Sequence, residues 1–487
     1  MSEQSYHSSI YNVTMGMILK VLQVLFPLIS APYVSRVLQP EGMGRVSFVQ
    51  SVINIFLLLT MLGIPLYGIK ACAKVRDNRE ELSRTVKELL IINTISLIVT
   101  LILLTISLLI IPKFKAESEL FIVFSFILIL NLVGVEWFYQ AIEQYDYLTL
   151  IHLFSKLIAL AILFIFVKTK QDVLMYAVTL VISSVGLNFI SIIRLNRYVD
   201  LSIKHLNFQK HLKYIITLFA FSAFTTVYTS MDTIMLGFLS NQIEVGYYNL
   251  AVKIKNLLVS LITVVGSVLL PRATVILKNK GNLEFKKLVQ KTLSFNIIIS
   301  LPISIFFITI SDIVIEILGG STFYPTITTL KIIMPAIVFI AISNVIGIQY
   351  MIPLNKEILV LYSTIGGAIS NIILNLILIP QFVATGAALA TTISEFIVMT
   401  IQIISIRKDK LQILKIKELI KIILSLVFAT IIIFLLPSIN NIFTKLIIDT
   451  VLYFTIYFIS LIILRESLLY DFLIIFKSHK PKDKEIK

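Results

Sequence analysis

Glu136-Trp137-Phe138-Tyr139-Gln140-Ala141-Ile142-Glu143-Gln144-Tyr145-Asp146-Tyr147 ends one long apolar run and leads within a few residues into another. It holds the single Trp of the chain. An aromatic passage with scattered charges between two such runs reads as a place where a membrane span meets water, because Trp and Tyr rings settle at headgroup level. Outward from it, apolar runs of about twenty residues recur from end to end, each able to cross about 30 Å of hydrocarbon at about 1.5 Å per residue. Hydrophobic residues make up 57% of the 487 and charged residues only 14%, with a mean hydropathy of +0.95. A soluble domain is excluded by those figures. In lipid the backbone must satisfy its own hydrogen bonds, so the runs are helices. The fold class is all-α, a polytopic membrane protein.

The spacing predicts about fourteen spans: 10–32, 46–69, 88–111, 119–141, 149–167, 173–193, 214–238, 247–270, 292–311, 326–350, 357–379, 383–405, 419–437 and 445–464. Basic segments follow the second, sixth, eighth and twelfth spans, for example Lys70, Lys74 and Arg76, or Arg407, Lys408 and Lys410, and the tail is basic too. All fall on one side if the spans alternate, so the positive-inside rule places both termini in the cytoplasm. Most of the formal net charge of +15 is thereby explained by topology and anionic headgroups, which leaves a nucleic-acid partner without support. Met1–Ser9 has no Lys or Arg, and a cleavable signal peptide is not expected. The single cysteine, Cys72, excludes an internal disulfide and a Cys-based metal site. It reads as an inert thiol at a loop edge.

Polar faces repeat. Lys20, Gln23, Pro27 and Ser30 lie on one face of the first span; Ser222, Thr225, Thr229 and Asp232 have the same spacing in the seventh, 202 residues on. Ser47, Ser51 and Asn54 of the second span match Asn249, Lys253 and Asn256 of the eighth at the same offset, as do Gly44 and Gly246. A duplication accounts for one offset shared by two helix pairs. Six spans per half make a parallel repeat. The expected organisation is an N-lobe over 1–213, a C-lobe over 214–405, and spans 13 and 14 with the tail over 406–487.

Charges at membrane depth are costly and are functional candidates by default. The cations are Lys20, Lys253, Lys255 and Lys156, with Arg36 and Arg45 in the turn after the first span. Gln23, Ser51, Asn54, Asn249 and Asn256 supply polar groups beside them. Asp232, Glu136 and Glu395 are either partners of buried lysines or sites that take up a proton or sodium ion. The five histidines show no pair at metal-ligand spacing, and no phosphate-cradling G-x-x-x-x-G-K-[ST] loop occurs. No metal site, ATP hydrolysis or other enzyme chemistry is expected.

Three passages carry a resemblance. Ser35-Arg36-Val37-Leu38-Gln39-Pro40-Glu41-Gly42-Met43-Gly44 looks like an R-x-L-x-P-E-x-x-G turn; the Trp137 passage is the second; Asn375-Leu376-Ile377-Leu378-Ile379-Pro380 with Gly386-Ala387-Ala388 is the third. Together they resemble bacterial oligosaccharide-lipid flippases of the multidrug/oligosaccharidyl-lipid/polysaccharide exporter (MOP) superfamily. The resemblance implies a MATE-like fold, two six-helix pseudo-repeated lobes around a central cavity plus two C-terminal helices. It implies a polyprenyl-pyrophosphate oligosaccharide as cargo, moved from the inner to the outer leaflet of the bacterial plasma membrane by alternating access. Glycan polymerases and other assembly proteins are the implied partners, beside membrane lipids. No catalytic residues are carried over.

On this reading Lys20 and Lys253, helped by Arg36, Arg45, Lys156 and Lys255, neutralise the pyrophosphate. The rivals are a peptidoglycan-precursor flippase, a cation-coupled drug antiporter on the same fold and, in another class, a membrane glycan polymerase or ligase. The antiporter needs acids in its cavity, where Lys20 stands. The polymerase needs a sizeable outer loop, and no outer connection exceeds about fifteen residues.

Overall fold

The structure is a computed structural model that describes residues 9–203, 206–409, 411, 416–436 and 440–467, with side chains at 9, 10, 12–14, 17, 19–25, 221 and 264–272 outside the description. All regular structure among the described residues is helical. Eleven stretches are long and apolar enough to cross a membrane. The three long helices Ser9–Met61, Gln242–Thr309 and Glu357–Ser405 are each broken at one residue, which divides the set into fourteen spans. Large apolar side chains on the third and thirteenth spans, such as Ile98, Ile102, Leu109, Ile423, Val427 and Phe434, are exposed. Hydrocarbon is the solvent such faces require.

The breaks have local causes. Gln39 takes φ 60 and ψ 177 directly before Pro40, whose ring disfavours the helical conformation in the preceding residue. Gly281, at φ 80, has no Cβ to clash. Val383 is β-branched yet sits at φ 45 and ψ −123, a conformation costing on the order of 1–3 kcal/mol. The next backbone N–H, of Ala384, donates to the Glu244 carboxylate at 3.2 Å and helps to hold it.

By its internal contacts the chain forms two units, one of residues 1–249, 318–323 and 375–384, the other of 250–317, 324–374 and 385–487. In the first unit, span 7 (Gln209–Leu239) is tied at both ends. At one end Lys113 caps its last carbonyls, reaching Gly237, Phe238 at 3.0 Å and Ser240 at 3.3 Å. Burial pushes the Lys113 ammonium below its usual pKa, and the negative end of the helix dipole compensates. The rings of Phe48, Phe114 and Phe238 pack there, with Phe48 against Gly237. At the other end His211 meets Glu88 at 2.7 Å.

The repeat has a physical counterpart in this unit. A Cβ on Gly44 would lie 1.6 Å from the carbonyl oxygen of Gln242, and a Cβ on Gly246 would lie 2.0 Å from that of Pro40. Pro40 and Gln242 are themselves 202 residues apart, like the two glycines. The starts of spans 2 and 8 therefore cross backbone to backbone with two-fold reciprocity.

Trp137 departs from the interfacial reading. Val135, at φ 40, breaks the fourth span, and Glu136–Ala141 forms a separate short helix. Trp137 is 4% exposed and packs with Ile64, Cys72, Leu82 and Leu148. Its ring fills the space above Gly68, where a Cβ would lie 2.5 Å from Cε3. The absent side chain at Gly68 admits the indole into the protein rather than leaving it at the headgroups. Cys72 likewise lies buried within the helix Ile64–Val75, not at a loop edge.

In the second unit Tyr453 and Phe306 pack at 4.9 Å, and the Tyr457 hydroxyl donates to the Ile298 carbonyl at 2.9 Å, joining spans 9 and 14. Lys356 pairs with Asp409 at 2.6 Å, and Lys286 donates to the Asp409 carbonyl at 2.6 Å. Span 10 ends in a π-helix, Val345–Met351.

Candidate functional site

The polar faces of spans 2 and 7 do meet. Asn54, Ser222, Thr226, Thr229 and Ser230 line a recess of about 330 Å³ together with Leu57, Leu58, Met61, Pro65 and Leu66. Three of these, Asn54, Ser222 and Thr229, come from the stripes legible in the sequence. The Thr229 hydroxyl lies 3.0 Å from the Thr225 carbonyl and 3.2 Å from that of Thr226. Its proton is thus committed along the helix, which leaves its lone pairs to accept. One wall is polar and the other aliphatic, which suits a molecule with hydroxyls on one side. Ser51, one turn before Asn54, is half-buried.

A second cluster lies where span 5 meets span 1. The Thr149 hydroxyl lies 2.7 Å from the Tyr145 carbonyl of its own helix and 3.1 Å from the Met15 carbonyl, so this face of span 5 lies toward span 1. One and two turns further along the same face stand His152 and Lys156. His152 Nε2 lies 3.2 Å from Glu136 Oε1. Lys156 Nζ stands 5.4 Å from the centroid of the Phe26 ring. Lys156 is half-buried and has no carboxylate within 4 Å among the described residues. An ammonium against an aromatic face gains cation–π attraction without the countercharge of an ion pair. Glu136, by contrast, is shared with His152.

The remaining cations differ in how they are held. Arg45 makes a fork onto Glu117, Nε at 2.9 Å from both oxygens and Nη2 at 2.8 Å from Oε2. Arg36 is exposed and lies beside Gly320. On span 8 the residues Leu250, Ala251, Ile254, Leu258 and Ile262 form the packed face. The polar stripe lies on the more open face, with Asn249 and Lys253 half-buried and Asn256 exposed. The Asn249 side-chain carbonyl is buried and has no hydrogen-bond partner among the described residues. Lys253 has no ion partner among the described residues, whereas Lys255 is buried and partnered. The side chains of Lys20 and Gln23 lie outside the described residues.

Of the acids, Asp232 is buried, accepting from Tyr248 Oη at 2.7 Å and from the Asn375 amide at 2.6 Å. A phenol and an amide are thus among its partners, and they join spans 7, 8 and 11. Glu395 is buried and partnered in span 12. The sequence reading passed over His152 and Phe26. The signal for His152 was its place one helical turn before Lys156; it was read only for metal-ligand spacing. Phe26 carried no signal at all, being one apolar residue among many.

Residues 9–276 match a family described as polysaccharide biosynthesis protein. A protein of Escherichia coli (strain K12) named for O-antigen transport is 27% identical over 397 residues, 80% of this chain and 94% of that protein. The solved lipid II flippase MurJ, in its inward closed conformation, superposes with a TM-score of 0.75 at 18% identity, over 96% of this chain and all of that one. An inward-facing multidrug resistance transporter of the MATE family, MOP superfamily, does so at 0.64 and 16% identity, over 82% and 98%. The fold is thus that of the MOP superfamily, and this multi-pass membrane protein belongs to the polysaccharide biosynthesis protein family.

Proposed function

We propose that the chain carries a polyprenyl-pyrophosphate-linked oligosaccharide repeat unit from the inner to the outer leaflet of the bacterial plasma membrane by alternating access, for assembly of a cell-surface polysaccharide. The observation that carries this reading is Lys156, a half-buried ammonium held inside the first unit against Phe26. Anions are barred from hydrocarbon, and a cation kept at membrane depth offsets that barrier. The hydroxyl-lined recess of spans 2 and 7 offers acceptors to sugar hydroxyls, while a lipid tail needs no shelter from the bilayer. Lys253 on span 8 is the second cation of this kind, and Lys20 is the third on sequence grounds. The relative named for O-antigen transport and the flippase fold support the same cargo class. Both termini lie in the cytoplasm on this reading, and a glycan polymerase takes the cargo on the outer side.

The test is deletion of the gene followed by identification of the lipid-linked saccharide that accumulates on the cytoplasmic leaflet. A polyprenyl pyrophosphate bearing a polysaccharide repeat unit is expected. Accumulation of bare peptidoglycan precursor would transfer the assignment to that cargo, and no accumulation at all would refute lipid-linked transport.

A further inference from the structure

The first unit buries a titratable chain that the cargo path does not use. Glu88 of span 3 is fully buried. Its Oε2 receives His211 Nε2 at 2.7 Å and Lys210 Nζ at 2.9 Å, and its Oε1 receives the Asn207 backbone N–H at 2.6 Å. On the far side of the imidazole, His211 Nδ1 lies 2.8 Å from Tyr67 Oη. The groups facing His211 are thus Glu88 from span 3, Lys210 from its own helix and Tyr67 from the helix Ile64–Val75. Tyr214 stacks on Tyr67 at 5.8 Å, and the Cys72 thiol is close enough to act on the phenol. His205 and Lys204 lie outside the described residues.

Two turns further along, the same two segments touch. Gly63, at φ +76, leaves room for the span 7 backbone: a Cβ there would lie 2.6 Å from Phe219 N and 3.1 Å from the Ile215 carbonyl oxygen. Directly beyond the contact the recess begins, with Gly63, Pro65 and Leu66 on one wall and Ser222 to Ser230 on the other. The His211 chain is therefore the clasp at the foot of the seam that the recess opens from.

We propose that His211 is a proton-binding site, and that proton uptake tightens this clasp and narrows the recess. With Glu88 ionised, the neutral imidazole donates from Nε2–H to Glu88 and accepts the Tyr67 O–H at Nδ1. A proton from hydronium adds to the Nδ1 lone pair: the N–H bond forms as the hydronium O–H bond breaks, and water is released. The added proton reverses one hydrogen bond, so that Nδ1–H donates to the Tyr67 oxygen and the phenol O–H turns away. Tyr67 is only half-buried, so that hydrogen is not stranded. Both imidazole bonds are then charge-assisted, and such bonds are about twice as strong as neutral ones. Burial of the imidazole opposes the added charge first, and Lys210, 44% exposed at its side chain, opposes it from the solvent side and is screened there; the ionised Glu88 offsets both.

The experiment reads the recess and not export, so it stands apart from the cargo assignment. Thr226→Cys is introduced into a full-length Cys72→Ser background and labelled in native membranes with a small thiol reagent across neutral to mildly acidic pH. Each rate is divided by the rate for the same cysteine in a His211→Gln protein, which keeps a donor toward Glu88 but binds no proton. The ratio is expected to fall roughly threefold or more on acidification, the worth of one neutral bond becoming charge-assisted. Should His211→Gln fail to fold, Tyr67→Phe serves as the reference, because it removes the second grip in both protonation states. A ratio that is flat with pH, or that rises on acidification, would overturn the proposal.

Discussion

At the scale of single residues, the difference between Lys156 and Arg45 decides what each can do. Arg45 is neutralised by a bidentate grip on Glu117, itself 9% exposed at its side chain. Arg45→Ala leaves that carboxylate without its partner at a cost of about 1–3 kcal/mol, so thermal stability in detergent should drop while cargo selectivity is retained. A loss of export at unchanged melting temperature would instead put Arg45 in the cargo path. Lys156 has the opposite signature. Lys156→Ala removes a charge with no acid depending on it within 4 Å among the described residues, so the protein should insert and melt normally while export falls about tenfold or more, the loss of one charge-assisted contact to phosphate. Lys156→Arg should restore most of it, and the surface-polysaccharide level reads both. The sequence made both residues visible, because a charge inside an apolar run is conspicuous. It hid their difference, because the partners Glu117 and Phe26 stand 72 positions after Arg45 and 130 before Lys156, and pairing across such separations is decided by tertiary packing.

At the scale of elements, glycine placement sets how helices meet. Gly44 and Gly246 let two equivalent segments cross with backbone contact on both sides. Gly44→Ala and Gly246→Ala should each force the crossing apart, costing about 1–3 kcal/mol by overpacking. The two should be matched in size, because each methyl meets a backbone carbonyl in the same reciprocal arrangement. Folded yield and melting temperature of the single variants measure this; a large effect at one glycine and none at the other would break the reciprocity. The spans themselves were legible because twenty apolar residues are a strong signal, and the repeat offset was legible from polar faces. That the repeated glycines touch was not, since an offset says which positions are equivalent and not which are adjacent. Trp137 shows the converse. Its amphipathic ring suggested the interface, and only the missing side chain at Gly68, across the fold, explains why it is buried.

For the whole molecule, the proposed cargo poses the question of what drives a doubly charged headgroup outward. An inside-negative potential favours outward movement of an anion by about 2.3 kcal/mol per charge per 100 mV. Two charges gain about 4.6 kcal/mol, more than three orders of magnitude in the distribution between leaflets. A cation that crossed with the cargo would cancel part of this gain, so on the proposed function the lysines are fixed countercharges that stay with the protein. Asp232 accepts from Tyr248 and Asn375, contacts that tie three helices together. The proton site proposed at His211 lies at the foot of the recess, and its role is to set how readily the recess opens. Potential and pH should therefore act on different quantities. In proteoliposomes with the protein oriented as in the cell, an inside-negative potassium diffusion potential is expected to raise the extent of outward transfer of a pyrophosphate-linked lipid. Collapsing that potential should abolish the rise. Collapsing a pH gradient at constant potential should change the rate and leave the extent alone. An extent that follows the pH gradient at zero potential would mean that protons travel with the cargo, and fixed countercharges would then be the wrong account of Lys156 and Lys253.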